Sequence, residues 1–249
     1  MKICVSGKGG VGKTLVCAAL ARLLAKKGLS VWAIDADPDA NLALALGIDD
    51  ADITPLAQMR QLIKERTGAQ DGWGAIFRMN PEVADIPEKF YKEKDGVRLL
   101  VLGAVRKGGG GCACPENVFL RALLNHMVLS RNDAVVVDLE AGLEPLGRAT
   151  VMGVDALVVV TEPTEAALAT VRRIRRLADD LRIKRVGCVV NKVRGEDDVK
   201  FVQAKKPAGV ELLGVVPYIE ELQRHYGVVE RLENAVQSVA DKLHRIKQQ

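Results

Sequence analysis

The chain has 249 residues, 48% hydrophobic and 4% aromatic, with 36 Lys and Arg against 32 Asp and Glu for a formal net charge of +4. That length and apolar content support a buried core in one large or two small domains. The mild, dispersed basic excess does not announce nucleic acid, and so few rings leave no base-stacking platform.

The first apolar run, Ile3-Cys4-Val5, reads as a buried strand, and Gly7 to Thr14 fits the phosphate-loop pattern G-x-x-x-x-G-K-[ST]. Gly7, Gly9, Gly10 and Gly12 let successive N–H groups around Val11 turn toward one anion. Helical spacing of Val16, Leu20, Leu23 and Leu24 then supplies a helix whose positive end meets the same charge. Lys13 would neutralise outer phosphates of ATP or ADP, and the Thr14 hydroxyl would hold Mg²⁺. Lys8 is a second cation where most such loops need none; on the pattern alone, the alternative is a solvated surface lysine. The run Lys8-Gly9-Gly10-Val11-Gly12-Lys13-Thr14 resembles the deviant phosphate loop of the SIMIBI ATPases, the class of MinD, ParA and Get3. The resemblance implies that Lys8 reaches across a homodimer to the partner's nucleotide.

The first helix should stop at Lys26-Lys27-Gly28. A second strand, 30–34, runs into Asp35-Ala36-Asp37-Pro38-Asp39 at the edge where parallel sheets bind ligands. The resemblance implies that Asp37 of the Asp-Pro pair belongs to a first switch and orients the attacking water. Asp35 looks less constrained, and Asp39 is either a cap for the 42–46 segment or an ordinary surface acid. Residues 51–95 are the least regular. A helix is expected over 55–67, followed by Gly, Pro, Trp73, Phe77, Phe90 and Tyr91 without a clean period. An inserted lobe with a small core of its own, or a docking surface, accounts for this stretch.

Another strand, 97–102, leads to the glycine-rich loop 108–117, in which Cys112 and Cys114 stand one residue apart. Such thiols can point the same way and clip a soft metal, Ni²⁺, Zn²⁺ or Cu⁺, but a pair supplies only half of a usual four-ligand site. A twofold axis would complete it. A redox pair or two ordinary loop cysteines are the alternatives. Cys4, Cys17 and Cys188 fall in a strand, a helix and a strand, so the five cysteines do not read as a disulfide framework.

A helix is expected over 117–129. The strand 133–138 ends in Asp138, a candidate Mg²⁺ ligand through water, and Gly142 beyond it could offer an N–H to the outermost phosphate. Strands at 156–160 and 186–190, with an amphipathic helix at 164–181 between them, continue the βαβ pattern. Asn191-Lys192 resembles the base-binding pair of the class, and Pro217, in a last strand at 214–218, lies where relatives line the adenine pocket. The expected fold is α/β, a single P-loop domain over 1–249 with a mostly parallel sheet flanked by helices on both faces. In the tail, Leu232, Val236, Val239, Leu243 and Ile246 form a stripe that either packs on the sheet or lies on a membrane surface. No apolar run approaches the ~20 residues of a membrane span, and the start passes straight into a strand, so a cytoplasmic protein is expected.

Cys-x-Cys in a glycine-rich loop, Asp138-Leu139-Glu140-Ala141-Gly142-Leu143-Glu144 and Ile53-Thr54-Pro55-Leu56 together resemble the nickel-insertion ATPases of the CooC and AcsF kind. The resemblance implies a metallochaperone: ATP closes a homodimer, Cys112 and Cys114 of both chains hold the metal, and hydrolysis releases it to CO dehydrogenase or acetyl-CoA synthase. Two rivals share the loop. A positioning ATPase of the MinD or ParA kind would act on membrane or DNA, and a ligase of the dethiobiotin synthetase kind would work without the metal.

Overall fold

The computed structural model describes residues 1–69, 77–103, 115–130, 133–140 and 153–246. Among these, β1 (Lys2–Gly7), β2 (Val31–Ala36), β3 (Lys92–Lys94), β4 (Val97–Val101), β5 (Ala134–Leu139), β6 (Ala156–Thr161), β7 (Val186–Val193) and β8 (Glu211–Pro217) form one sheet. Its order is β3-β4-β2-β5-β1-β6-β7-β8. All neighbours run parallel except the short edge strand β3, which is antiparallel to β4. The chain builds outward from β1 on one side, then returns and builds outward on the other. The loop after β1 therefore leaves from the point of reversal, where a crevice opens at the carboxyl edge of such a sheet.

Helices cover both faces: α1 (Lys13–Lys26), α2 (Leu42–Leu46), α3 (Arg60–Thr67), α4 (Ile86–Phe90), α5 (Pro115–Asn125), α6 (Glu165–Asp180), α7 (Glu196–Lys205) and α8 (Glu230–Ile246). Strands buried on both sides must be apolar on both sides, which is why β5 reads Ala-Val-Val-Val. Ala134 and Val136 face the layer of α1 and α8, whereas Val135 and Val137 face that of α5 and α6. The sidedness of α1 is weak for the same reason: it lies between the sheet and α8, and ten of its residues are buried.

The tail stripe belongs to this core. Leu232, Val236, Val239 and Leu243 are buried, and no helix among the described residues is long and apolar enough to cross a membrane. Close packing over β8 depends on Gly214, where a Cβ would lie 2.4 Å from Val239 Cγ2. Arg22 and Lys26 of α1 both pair with Glu233 of α8, at 3.0 and 2.5 Å.

Four expectations change. The expected helix over 55–67 is interrupted at Met59, at φ −80° and ψ 67°, into a 3₁₀ turn at Leu56–Gln58 and then α3. The described part of 51–95 does not close on a core of its own: Leu56, Ile63, Val83 and Ile86 join the layer beneath α5. Asp39 does not cap α2. Its backbone N–H donates to Asp37 Oδ1, while the first amide of α2, on Leu42, donates to Asp35 Oδ2 at 2.8 Å. The helix expected over 117–129 starts at Pro115 and changes to π geometry at His126–Ser130.

Candidate nucleotide-binding site

Two glycines fix the phosphate loop. Gly7 has φ +155°, and a Cβ there would lie 2.2 Å from the Val160 carbonyl oxygen of β6. Gly12 precedes α1 with φ +91°, and a Cβ would fall 2.4 Å from Asn191 Nδ2. No side chain caps the α1 N-terminus, so its first amides stay available to an anion. Lys13 is 7% exposed and Thr14 half-buried, both lining a cavity of about 370 Å³ with Gly9, Gly10 and Gly12. Lys8 is exposed on the loop's outer rim and makes no ion pair among the described residues.

The acidic wall comes from strand register. Asp35 of β2 sits opposite Asp138 of β5, which sits opposite Val5 of β1, so two carboxylates stand side by side beneath the loop. Both are fully buried. Burial, then the charge of Asp35, pushes the Asp138 carboxyl up to about 7. The nearby Thr14 hydroxyl and Lys13 ammonium pull it down without making a hydrogen bond of normal geometry, and neither Asp138 oxygen has a hydrogen-bond partner among the described residues. Burial also raises Asp35, to about 6, against the amides of Leu42 and Asp37 that donate to it. Cys17 packs close by, and burial, Asp138 and Asp35 together hold its thiol well above the ordinary range. Asp37, half-buried, lines the cavity.

An unpartnered buried carboxylate is costly unless a cation meets it. With the Thr14 hydroxyl nearby, Asp138 offers the oxygen donors that Mg²⁺ takes, so these residues fit that ion.

On the far wall, Asn191 spends its amide on the protein: Nδ2 donates to the Val11 carbonyl and Oδ1 accepts the Lys192 N–H, both at 2.8 Å. Lys192 sits at φ +61°, a conformation a non-glycine residue adopts only when held. Its Nζ donates to the Gly10 carbonyl at 2.8 Å and pairs with Glu162 at 2.6 Å. This pair therefore braces the phosphate loop in the structure. Pro217 is exposed at the end of β8, and the cavity wall is formed by Tyr218, Ile219 and Leu222 just beyond it, with Tyr226. The Arg194 guanidinium lies 3.9 Å from the centre of the Tyr218 ring. The sequence signalled Tyr218 only as a strand end, and Leu222 and Tyr226, in a short irregular connection, carried no signal.

Cys112, Cys114 and Gly142 lie outside the described residues. Among those described, no group of three or more His, Cys, Asp or Glu is arranged to hold a metal, and Cys4, Cys17 and Cys188 are buried free thiols.

A parallel sheet with a glycine-built phosphate loop at its reversal point and a buried acid beside it defines a P-loop nucleotide-binding domain. Residues 2–228 match the CobQ/CobB/MinD/ParA nucleotide-binding domain, and the chain belongs to that family. It is 46% identical to an uncharacterized ATP-binding protein of Methanocaldococcus jannaschii, covering 89% of this chain and 87% of that one. It is 44% identical to the carbon monoxide dehydrogenase accessory protein CooC of Rhodospirillum rubrum, covering 90% and 86%. In fold it is similar to the septum site-determining protein MinD of Pyrococcus horikoshii complexed with Mg-ADP, with TM-score 0.66, 21% identity and 99% and 97% of the chains covered.

Proposed function

We propose that this protein is an ATP-hydrolysing metallochaperone, in which a nucleotide-dependent homodimer binds nickel and delivers it to CO dehydrogenase or acetyl-CoA synthase. The similarity to CooC along 90% of the chain carries the reading. The Cys-x-Cys at Cys112 and Cys114, which a nucleotide site by itself does not call for, supports it.

The chain's own groups divide the work. Amides of the Gly7–Thr14 loop and of the α1 N-terminus hold the phosphates, with Lys13 as the buried counter-charge. Mg²⁺, held by Thr14 and through water by Asp138, would neutralise charge on the outer phosphates. Asp37, at the cavity wall, aligns the attacking water by accepting its hydrogen bond. Lys8, exposed and without an ion pair here, crosses to the partner's nucleotide. Asn191 and Lys192 are held against the loop and face the base once nucleotide enters, with Pro217 and Tyr218 beside it. Cys112 and Cys114 of both chains form one thiolate site for the nickel cargo. By reciprocity, metal then favours the same dimer that ATP favours.

Metal content and solution mass, measured with ADP, with a non-hydrolysable ATP analogue and with added Ni²⁺, test this cycle. The expected result is one metal per dimer with the analogue, and none after Cys112→Ala with Cys114→Ala, nucleotide binding being retained. Lys8→Ala should bind nucleotide and stay monomeric. Unchanged metal in the double variant rejects the shared thiolate site, and full turnover by Lys8→Ala rejects the cross-dimer role.

A further inference from the structure

At the opposite edge of the sheet from the phosphate loop, the starts of β6, β7 and β8 and the last turn of α8 enclose a groove of about 620 Å³. Its floor is apolar and tightly packed: Leu157, Val186, Val210 and Leu243 line it and are each at most 5% exposed. Its rim is cationic. Lys184 and Arg185 precede β7, and Lys242 and Arg245 come from α8, against a single acid, Glu211. Lys242 is committed: it donates to the carbonyls of Leu212 and Leu213 at 3.2 and 3.0 Å and stands 3.8 Å from Glu211. Arg245 lies in the field of Asp241. Lys184 and Arg185 are exposed and have no ion pair among the described residues.

We infer that this groove is a docking site for an acidic segment of a protein partner. Lys184 and Arg185, without ion pairs among the described residues, stand beside the partly committed Lys242 and Arg245 and complement a chain of Asp and Glu side chains. The uncommitted charge sits on the rim, so charge leads recognition here and steers encounter more than it adds affinity. The groove is more open to solvent than the nucleotide cavity, which suits a segment of a larger partner rather than an enclosed small molecule. Position gives the site a purpose beyond adhesion. β7 begins at the groove with Val186 and ends near the phosphate loop with Asn191 and Lys192, while β8 runs from Glu211 to the cavity wall at Tyr218. A partner held here leaves the nucleotide edge free for a second copy. The inference stands whether or not the chain handles metal.

The test uses the full chain and a fluorescein-labelled oligo-glutamate peptide, read by anisotropy across a salt series. An oligothymidylate and phosphatidylserine vesicles serve as rival polyanions. Lys184→Glu with Arg185→Glu alters only exposed side chains far from the nucleotide cavity, and basal ATP hydrolysis should be unchanged in it. The expected result is salt-sensitive peptide binding that falls about tenfold or more in this variant and returns in Lys184→Arg with Arg185→Lys. Equal binding by wild type and the charge-reversed variant would overturn the site. Preferential capture of oligothymidylate or vesicles, lost in that variant, would overturn the protein partner in favour of nucleic acid or lipid. If the charge-reversed pair is unfolded by circular dichroism, Arg245→Glu gives the same readout from the other side of the rim.

Discussion

At the scale of single residues, Asp138 sets the terms of the site. A buried carboxylate without a partner destabilises the nucleotide-free protein in order to be ready for a cation. Asp138→Asn should therefore raise the melting temperature of the metal-free protein by about 2–6 °C while stopping Mg²⁺-dependent ATP hydrolysis. The sign of its pH dependence follows from a carboxyl raised from 3.8 to about 7. Between those values the folded state holds a proton that the unfolded state has lost, so wild-type stability drains as pH rises through this window. The variant's advantage should accordingly be small near about pH 4 and full near about pH 8.5, as scanning calorimetry of both proteins would reveal. Cysteine chemistry gives a second residue-level expectation. Burial pushes Cys4 up to about 12 and Cys188 up to about 11, and holds Cys17 well above its ordinary range. Near about pH 8, Ellman's reagent should find no more than two fast thiols in the native protein, Cys112 and Cys114, and five in denaturant. Added Ni²⁺ with an ATP analogue should silence both; five fast native thiols would contradict the burial described above.

At the scale of elements, α8 and β8 are matched by one missing side chain. Gly214→Ala should cost about 1–3 kcal/mol in urea unfolding, because its methyl would overlap Val239. Pairing it with Val239→Ala should return at least half of that loss, an interaction that a double-mutant cycle isolates. The elements themselves were largely legible. Glycines and cations at fixed spacing announce the phosphate loop, and apolar runs such as Val135-Val136-Val137 announce strands covered on both sides, since these signals are local. Asp35 was misjudged for the opposite reason: its amide partners, Asp37 and Leu42, are contacts that composition does not betray. The groove was equally hidden, being assembled from three strand starts and a helix end far apart in sequence. The amphipathic stripe of α8 was readable as a stripe, but whether sheet or membrane covered it depended on Gly214 and on Arg22 and Lys26, which only packing brings to it.

At the scale of the whole molecule, the sheet separates two kinds of traffic. The nucleotide cavity lies at its carboxyl edge, and the basic groove lies at the other. Asp35 ties three parts of the carboxyl edge together. Its carboxylate receives the amides of Asp37 and Leu42 from the segment after β2. Its carbonyl oxygen receives those of Leu102 and Gly103, at 2.8 and 3.2 Å, where the chain departs toward the cysteine loop. Its neighbour in the sheet is Asp138, where the chain departs again. Like the common post of two gates, this residue anchors the segment after β2 and the end of β4 to one point.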